Sequence, residues 1–204
     1  MKKLLLIIMI AGLSGCLSMD LSDADRYQEE IQKIQNRDEA ADFTNLRMVY
    51  TNTSLYEPFG GKEKLLLDTM FRALQKNDYK VCIDQAEEIL ESNYASLNAH
   101  YAAMNCQYQM GDRETSAYHR YVLDGLVSSI SESGDGVSKE SAFVVISQLE
   151  MKAFLDLKGM QIRKRKLDRD KRRGRAYNVM SVSDSEGQRR KVIFDVTIQM
   201  SKGL

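Results

Sequence analysis

The sequence predicts an α+β fold, in which paired helices precede a small C-terminal antiparallel β module. Between residues 66 and 130, apolar residues recur at spacings of three and four, the period of amphipathic helices. After residue 142 the period changes to two and β-branched residues become frequent, as in strands. With 29 basic and 29 acidic side chains and a single proline, the chain is neither a polyelectrolyte nor a low-complexity protein.

The N-terminus resembles the signal of a bacterial lipoprotein. A basic start is followed by a ten-residue apolar run, Leu4–Leu13, much shorter than the roughly 20 residues of a membrane-spanning helix. The run ends in LSGC, which resembles the lipobox, whose cysteine is acylated after cleavage. We therefore predict a signal peptide over 1–15 and a lipid anchor on Cys16. The alternative is an ordinary secretory signal whose cysteine is coincidental.

Leu17 follows the cysteine, instead of the aspartate that resembles an inner-membrane retention signal. We expect an anchor in the outer membrane facing the periplasm, or in the plasma membrane if the host is monoderm. Residues 16–41 are polar with sparse apolar positions, and we interpret them as a tether, at most a frayed helix.

The helical part is predicted over 42–132. Asp42 is suited to cap a short helix, and Pro58 with Gly60 indicates a loop after it. Four amphipathic stripes follow, over 66–74, 79–90, 97–108 and 117–130.

The turns at Asn77-Asp78 and Gly111-Asp112 lie 34 positions apart, which is the tetratricopeptide period. The helical part thus resembles two tetratricopeptide repeats. It departs from that pattern at the usual tryptophan and glycine positions and lacks the closing proline, so a helical bundle with accidental spacing is the alternative.

The C-terminal module is predicted over 133–204, as one folding unit with 42–132. Residues 142–147 form a strand and a short helix ends at Gly159. Three further strands are predicted over 160–166, 175–183 and 189–200, the last two joined by a turn at 184–187.

Four segments carry a family resemblance: NLRMVYTNTSLYEPFG, LNAHYAAMNCQYQMGDRETSAYHRYVLDGL, SGDGVSKESAFVVIS and YNVMSVSDSEGQ. They are similar to an uncharacterised family of bacterial envelope lipoproteins that carry a domain of unknown function. The resemblance covers about residues 42 to 198. It implies one folding unit and no assigned activity.

The search for chemistry finds no catalytic constellation. On antiparallel helices rising ~1.5 Å per residue, His100 and His119 are expected to differ in level by about 7 Å, which argues against a metal pair. SGDG at 133–136 lacks the lysine and Ser/Thr pair of a phosphate loop, and Asp135 with Glu140 is too sparse for a calcium loop. We predict no catalytic residue, no metal, no cofactor and no enzymatic activity.

Cys82 and Cys106 lie at the same height on a predicted antiparallel helix pair, in a compartment that is oxidising if the lipoprotein interpretation holds. Two alternatives remain open: a disulfide, or two small buried residues whose Cβ atoms diverge.

The strongest charge asymmetry lies over 163–175, which holds nine basic and two acidic side chains. We interpret it as an exposed hairpin loop that either binds an anion or is simply solvated. The candidate anion-binding residues are Arg163, Lys164, Arg165, Lys166, Arg169, Lys171, Arg172, Arg173 and Arg175.

The predicted function is a lipid-anchored envelope protein acting as a non-enzymatic interaction or scaffold module. Its expected partners are the membrane through the anchor, an envelope protein, and anionic lipid or lipopolysaccharide, but not nucleic acid. The alternatives are an immunity-like inhibitor of an envelope-targeted toxin and, third, an envelope hydrolase.

Overall fold

The computed structural model describes residues 22–203, so the predicted signal peptide and Cys16 lie outside the described residues. Within them the chain forms eight helices and four strands. In chain order these are α1 (Asp23–Gln35), α2 (Phe43–Tyr50), α3 (Gly61–Gln75), α4 (Tyr79–Ser92), α5 (Leu97–Gln109), α6 (Arg113–Glu132), β1 (Phe143–Val144), α7 (Gln148–Leu157), β2 (Gln161–Asp170), β3 (Arg175–Ser183), β4 (Arg189–Asp195) and α8 (Thr197–Lys202). The predicted α+β class is confirmed.

Aspartate side chains cap three of the helices, and the cap predicted at Asp42 is confirmed. The Asp42 carboxylate accepts from the backbone N–H groups of Thr44 and Asn45 at 2.8 and 2.9 Å and so starts α2. Asp78 and Asp112 do the same for α4 and α6. These caps satisfy N–H groups that have no partner within the helix.

The two turns that lie 34 residues apart have the same geometry. Asn77 and Gly111 both adopt a left-handed backbone, with φ of 60° and 86°. The N–H of the following aspartate then bonds five residues back, from Asp78 to Ala73 and from Asp112 to Gln107, at 2.9 and 3.0 Å. The sequence offset therefore corresponds to two equivalent turns, each of which joins two consecutive helices.

The four strands form one mixed sheet in the order β1-β4-β3-β2. The predicted antiparallel module is wrong in one pairing, because β1 runs parallel to β4. The strand predicted over 189–200 is also too long, since residues 197–202 form α8. The partner strand β3 begins at Arg175, and the last backbone bond between them runs from the Val196 N–H to the Ala176 carbonyl. The Ala176 N–H donates to the Thr197 side chain, at the start of α8.

The prediction of a tether over 16–41 is wrong for residues 23–35. These residues form α1, which packs against the rest of the domain through buried Tyr27, Ile31 and Ile34. The Tyr27 hydroxyl also accepts from the Tyr94 backbone N–H at 2.9 Å. Three apolar residues on one stripe suffice to dock a short helix when the remaining surface is polar.

Two large hydrophobic clusters and one small one organise the fold. The larger cluster combines α1, α2 and α6 with α7, β3 and β4, so the helical part and the β module share it. The smaller cluster lies among α3, α4 and α5. The sheet therefore packs with one face on the helices, while Ala142 covers Tyr177 and Ile193 on its other face.

Candidate functional site

The basic run lies mostly on a strand, because the strand predicted over 160–166 continues to Asp170 and so takes up much of the predicted hairpin loop. Strand β2 continues to Asp170, and only residues 171–174 form the turn into β3. Charged side chains hide the alternation that identifies a strand, whereas pairing with β3 depends on the backbone alone. All the predicted anion-binding residues thus lie on β2, in the turn or at the start of β3.

The term basic surface is used here for the cations of β2, the β2–β3 turn and the start of β4, together with Arg175. In the part of the chain that the structure describes, only two of them reach a carboxylate: Arg173 approaches Glu140 at 3.8 Å and Arg175 approaches Asp195 at 2.9 Å. Asp168, an acidic residue within the run, is instead paired with Lys139 at 2.8 Å. Among the same described residues, the remaining cations are exposed and make no ion pair, listed in order as Arg163, Lys164, Arg165, Lys166, Arg169, Lys171, Arg172, Arg189, Arg190 and Lys191.

The register places these cations on both faces of the sheet. Lys164 pairs with Ser181, which pairs with Lys191, on the outer face. Arg165 pairs with Met180, whose side chain belongs to the core, so Arg165 lies on the opposite face. Successive basic residues of β2 therefore form two rows, one on each face.

Strand β4 adds cations that sequence reasoning missed. Arg189, Arg190 and Lys191 line, together with Lys164 and Lys166, a shallow depression of about 420 Å³ that has no carboxylate among its lining residues. The predicted hairpin turn at 184–187 could have indicated these residues, because such a turn brings the start of β4 beside the end of β3.

A second surface is a groove of about 640 Å³ between α3, α5 and α7. Apolar side chains of Leu67, Phe71 and Tyr101 form much of its wall, and Lys152 and Asp156 stand at its α7 side. It is a hydrophobic groove with both positive and negative side chains at its rim.

The predicted separation of the two histidines is wrong. His100 Nδ1 and His119 Nδ1 lie 2.9 Å apart, because α5 and α6 reverse direction nearer residue 110 than Asp112. The Ser116 hydroxyl donates to the Met104 carbonyl at 2.8 Å, and this register places His100 and His119 at nearly the same level. His100 Nε2 lies 2.9 Å from the Tyr94 carbonyl, which can only accept. His100 therefore carries its proton on Nε2, and His119 Nδ1–H donates to His100 Nδ1.

Burial disfavours protonation of both rings. It lowers the pKa of His100 to about 3, with help from His119, and the pKa of His119 to about 4. Both histidines are neutral at pH 7. Within residues 22–203, no three His, Cys, Asp or Glu side chains come together as a metal site.

Glu63 is the buried carboxylate beside a cavity of about 230 Å³. Burial raises its pKa, although three neutral donors oppose this: Ser96 and Asn98 at 2.7 and 3.1 Å to Oε1, and Asn93 at 2.8 Å to Oε2. Because Ser96 also caps α5, the contacts hold the start of α3 against the α4–α5 turn. These contacts give Glu63 a structural role.

Cys82 and Cys106 form a disulfide that joins α4 to α5 inside the smaller cluster. Of the two alternatives left open by the sequence, the structure contains the bridge.

The family described as "Domain of unknown function (DUF4919)" matches residues 20–202. The chain belongs to this family. The match begins just before α1 and ends in α8, so the family domain includes the segment that the sequence suggested was a tether. No curated protein and no solved structure matches the chain. Among the described helices, none has the length and apolar character needed to cross a membrane.

Proposed function

We propose that this DUF4919 chain is a lipid-anchored, non-enzymatic interaction module of the bacterial cell envelope, which binds an acidic protein segment through its basic surface. The observation that carries the proposal is the set of cations without ion-pair partners on β2 and β4. Such a concentration of one charge steers an oppositely charged partner and is costly to keep without one.

The anchor is supported by the lipobox-like LSGC that ends at Cys16. The proposal also treats α3–α6 as two tetratricopeptide-like repeats, supported by the equivalent turns at Asn77 and Gly111. Paired-helix arrays commonly serve as binding scaffolds.

An acidic protein segment is favoured over an anionic lipid surface by the two rows of cations. A flat membrane meets one face of a sheet, so it would contact either the row of Lys164 and Lys166 or the row of Arg165 and Arg169. A polypeptide lying along β2 reaches both.

Three buried ionisable groups, Arg47, Glu63 and His100, have structural explanations, which supports a role without catalysis. Arg47 is paired with Glu150, Glu63 is held by neutral donors, and His100 is bonded to His119 and to a backbone carbonyl.

The test uses the mature chain with Cys16→Ser and measures binding to a glutamate-rich peptide and to phosphatidylglycerol vesicles. We expect the peptide to bind and the affinity to fall as salt is raised. If four exposed cations contribute about 0.5 kcal/mol each, replacing Lys164, Arg165, Lys166 and Arg169 by glutamine weakens binding by roughly thirtyfold.

The matched control replaces four exposed cations outside the basic surface, Lys76, Lys80, Arg120 and Lys152, by glutamine, with the same change in net charge. This variant should bind like the parent. Equal losses in both variants, or binding to the vesicles but not to the peptide, would contradict the proposal.

A further inference from the structure

Strand β2 is the terminal strand of the sheet. It is ten residues long and, in the order β1-β4-β3-β2, its outer side pairs with no strand of residues 22–203. Eight of its ten residues are exposed, including Ile162 and Leu167. An edge strand of this length directs alternate N–H and C=O groups into solvent, where they can pair with another chain.

A bulge limits the usable part of this edge. The register with β3 shifts between Ile162 and Lys164, and the intervening Arg163 is held by Ser183 and Gln161 at 2.8 and 2.9 Å. A bulge twists a strand and interrupts its ladder. The regular stretch is therefore Lys164–Asp170, which spans roughly 23 Å at about 3.3 Å per residue.

The charges select what can pair there. The cations of β2 lie on both faces of the sheet, Lys164 and Lys166 on one and Arg165 and Arg169 on the other. A strand added beside β2 would therefore have a row of cations next to each of its two faces. Self-pairing of two β2 strands would instead bring these cations against one another, which is unfavourable. Lysine and arginine on an edge also protect against indiscriminate aggregation. An acidic extended segment satisfies both the backbone and the charge.

We propose that the outer edge of β2 takes up an extended acidic segment of a partner protein as a fifth strand of the sheet. The inference rests on the proposed function and specifies the binding mode. Backbone hydrogen bonds supply part of the affinity and the cation rows supply the preference for acidic side chains.

The experiment compares two ten-residue peptides of the same sequence. Glutamates occupy both odd and even positions, so that they face both sides of an added strand, and valines and threonines occupy the other positions. The second peptide is N-methylated at four consecutive central residues, which blocks hydrogen bonding from both of its edges without changing its charge. Strand addition predicts at least about tenfold weaker binding of the methylated peptide to the Cys16→Ser chain.

Hydrogen exchange gives a second readout on the same samples. The unmodified peptide should slow exchange of amides in Lys164–Asp170, while amides of α6 should be unaffected.

The outcomes separate the binding mode from the proposed function. Equal binding of both peptides, or binding without protection of β2, would overturn strand addition and leave electrostatic recognition standing. Failure of both peptides to bind would overturn the proposed function and this inference with it.

Discussion

The Arg47 guanidinium makes two hydrogen bonds to the Glu150 carboxylate, at 2.7 Å from Nε and 3.0 Å from Nη2. Both side chains are buried and lie 103 positions apart, on α2 and α7. Arg47 also donates to Ser129 on α6 and to the Val144 carbonyl of β1, both at 2.8 Å, while Glu150 accepts from the Ile146 N–H at 2.7 Å. This pair therefore joins the helical part to the β module.

Replacing Arg47 with methionine should lower the free energy of unfolding by about 3–5 kcal/mol, because Glu150 is left as a buried charge without its partner. Urea denaturation measures the loss. The double variant Arg47→Met/Glu150→Leu should recover part of it. Lys152→Met on the same helix α7 breaks the exposed pair with Asp156 and should cost less than about 1 kcal/mol. A small effect of Arg47→Met would show that the pair does not hold the two parts together.

Acidification should destabilise the domain through the histidine pair. The pKa of His119 is about 4 in the folded chain, below the 6.5 of an unperturbed histidine, so the unfolded state binds more protons between these values. Stability is therefore fully present above pH 6.5 and falls as pH drops toward 4. His119 should contribute roughly 2–3 kcal/mol of this loss.

The measurement compares the parent with His119→Asn, whose amide can still donate to His100, in urea titrations from pH 4 to pH 7. The carboxylates titrate in both proteins, so the difference between the two curves isolates His119. The free energy of unfolding of the variant, relative to that of the parent, should rise as pH falls. Parallel curves would contradict the pKa assigned to His119.

The disulfide between Cys82 and Cys106 should stabilise the chain measurably. It closes a loop across 24 positions, for which the chain-entropy model gives about 3–4 kcal/mol. Reduction, or Cys82→Ala with Cys106→Ala, should lower the urea midpoint accordingly. Alkylation of the unreduced, unfolded chain followed by intact-mass measurement checks the bridge itself: two added groups would mean that both thiols are free.

Helix α1 should be part of the cooperative unit. Ile34 is fully buried, so Ile34→Ala should reduce stability by about 2–5 kcal/mol. Gln32→Ala on the exposed side of α1 serves as the control and should change stability by no more than about 0.5 kcal/mol. If both variants unfold at the parent's urea midpoint, α1 is a tether after all.

The lipid anchor is tested by Cys16→Ser in cells. If Cys16 is acylated, the variant should move from the membrane pellet to the soluble fraction and lose fatty-acid labelling, because the acyl chains provide the membrane affinity. A variant that still pellets and still carries label would exclude Cys16 as the lipidation site.

Local signals in the sequence predicted most of the helices and the β3–β4 hairpin. The apolar stripes of α3 to α6, the capping aspartates and the turn residues act over a few positions, so they can be read without knowing what packs against them. The matching height of Cys82 and Cys106 was predictable for the same reason, because only one turn separates their helices.

The sequence by itself determined the α+β class, the order of most elements and the concentration of positive charge over 163–175. Only the tertiary structure decided that α1 is part of the core, that His100 meets His119 and that β2 is an edge strand with cations on both faces. The physical reason is the range of the interactions. Periodicity and capping are local, whereas the docking of a helix and the position of a strand in a sheet depend on partners distant in the chain. The contact between the two histidines depends on the residue at which α5 and α6 reverse, which the sequence pattern leaves open by a few positions.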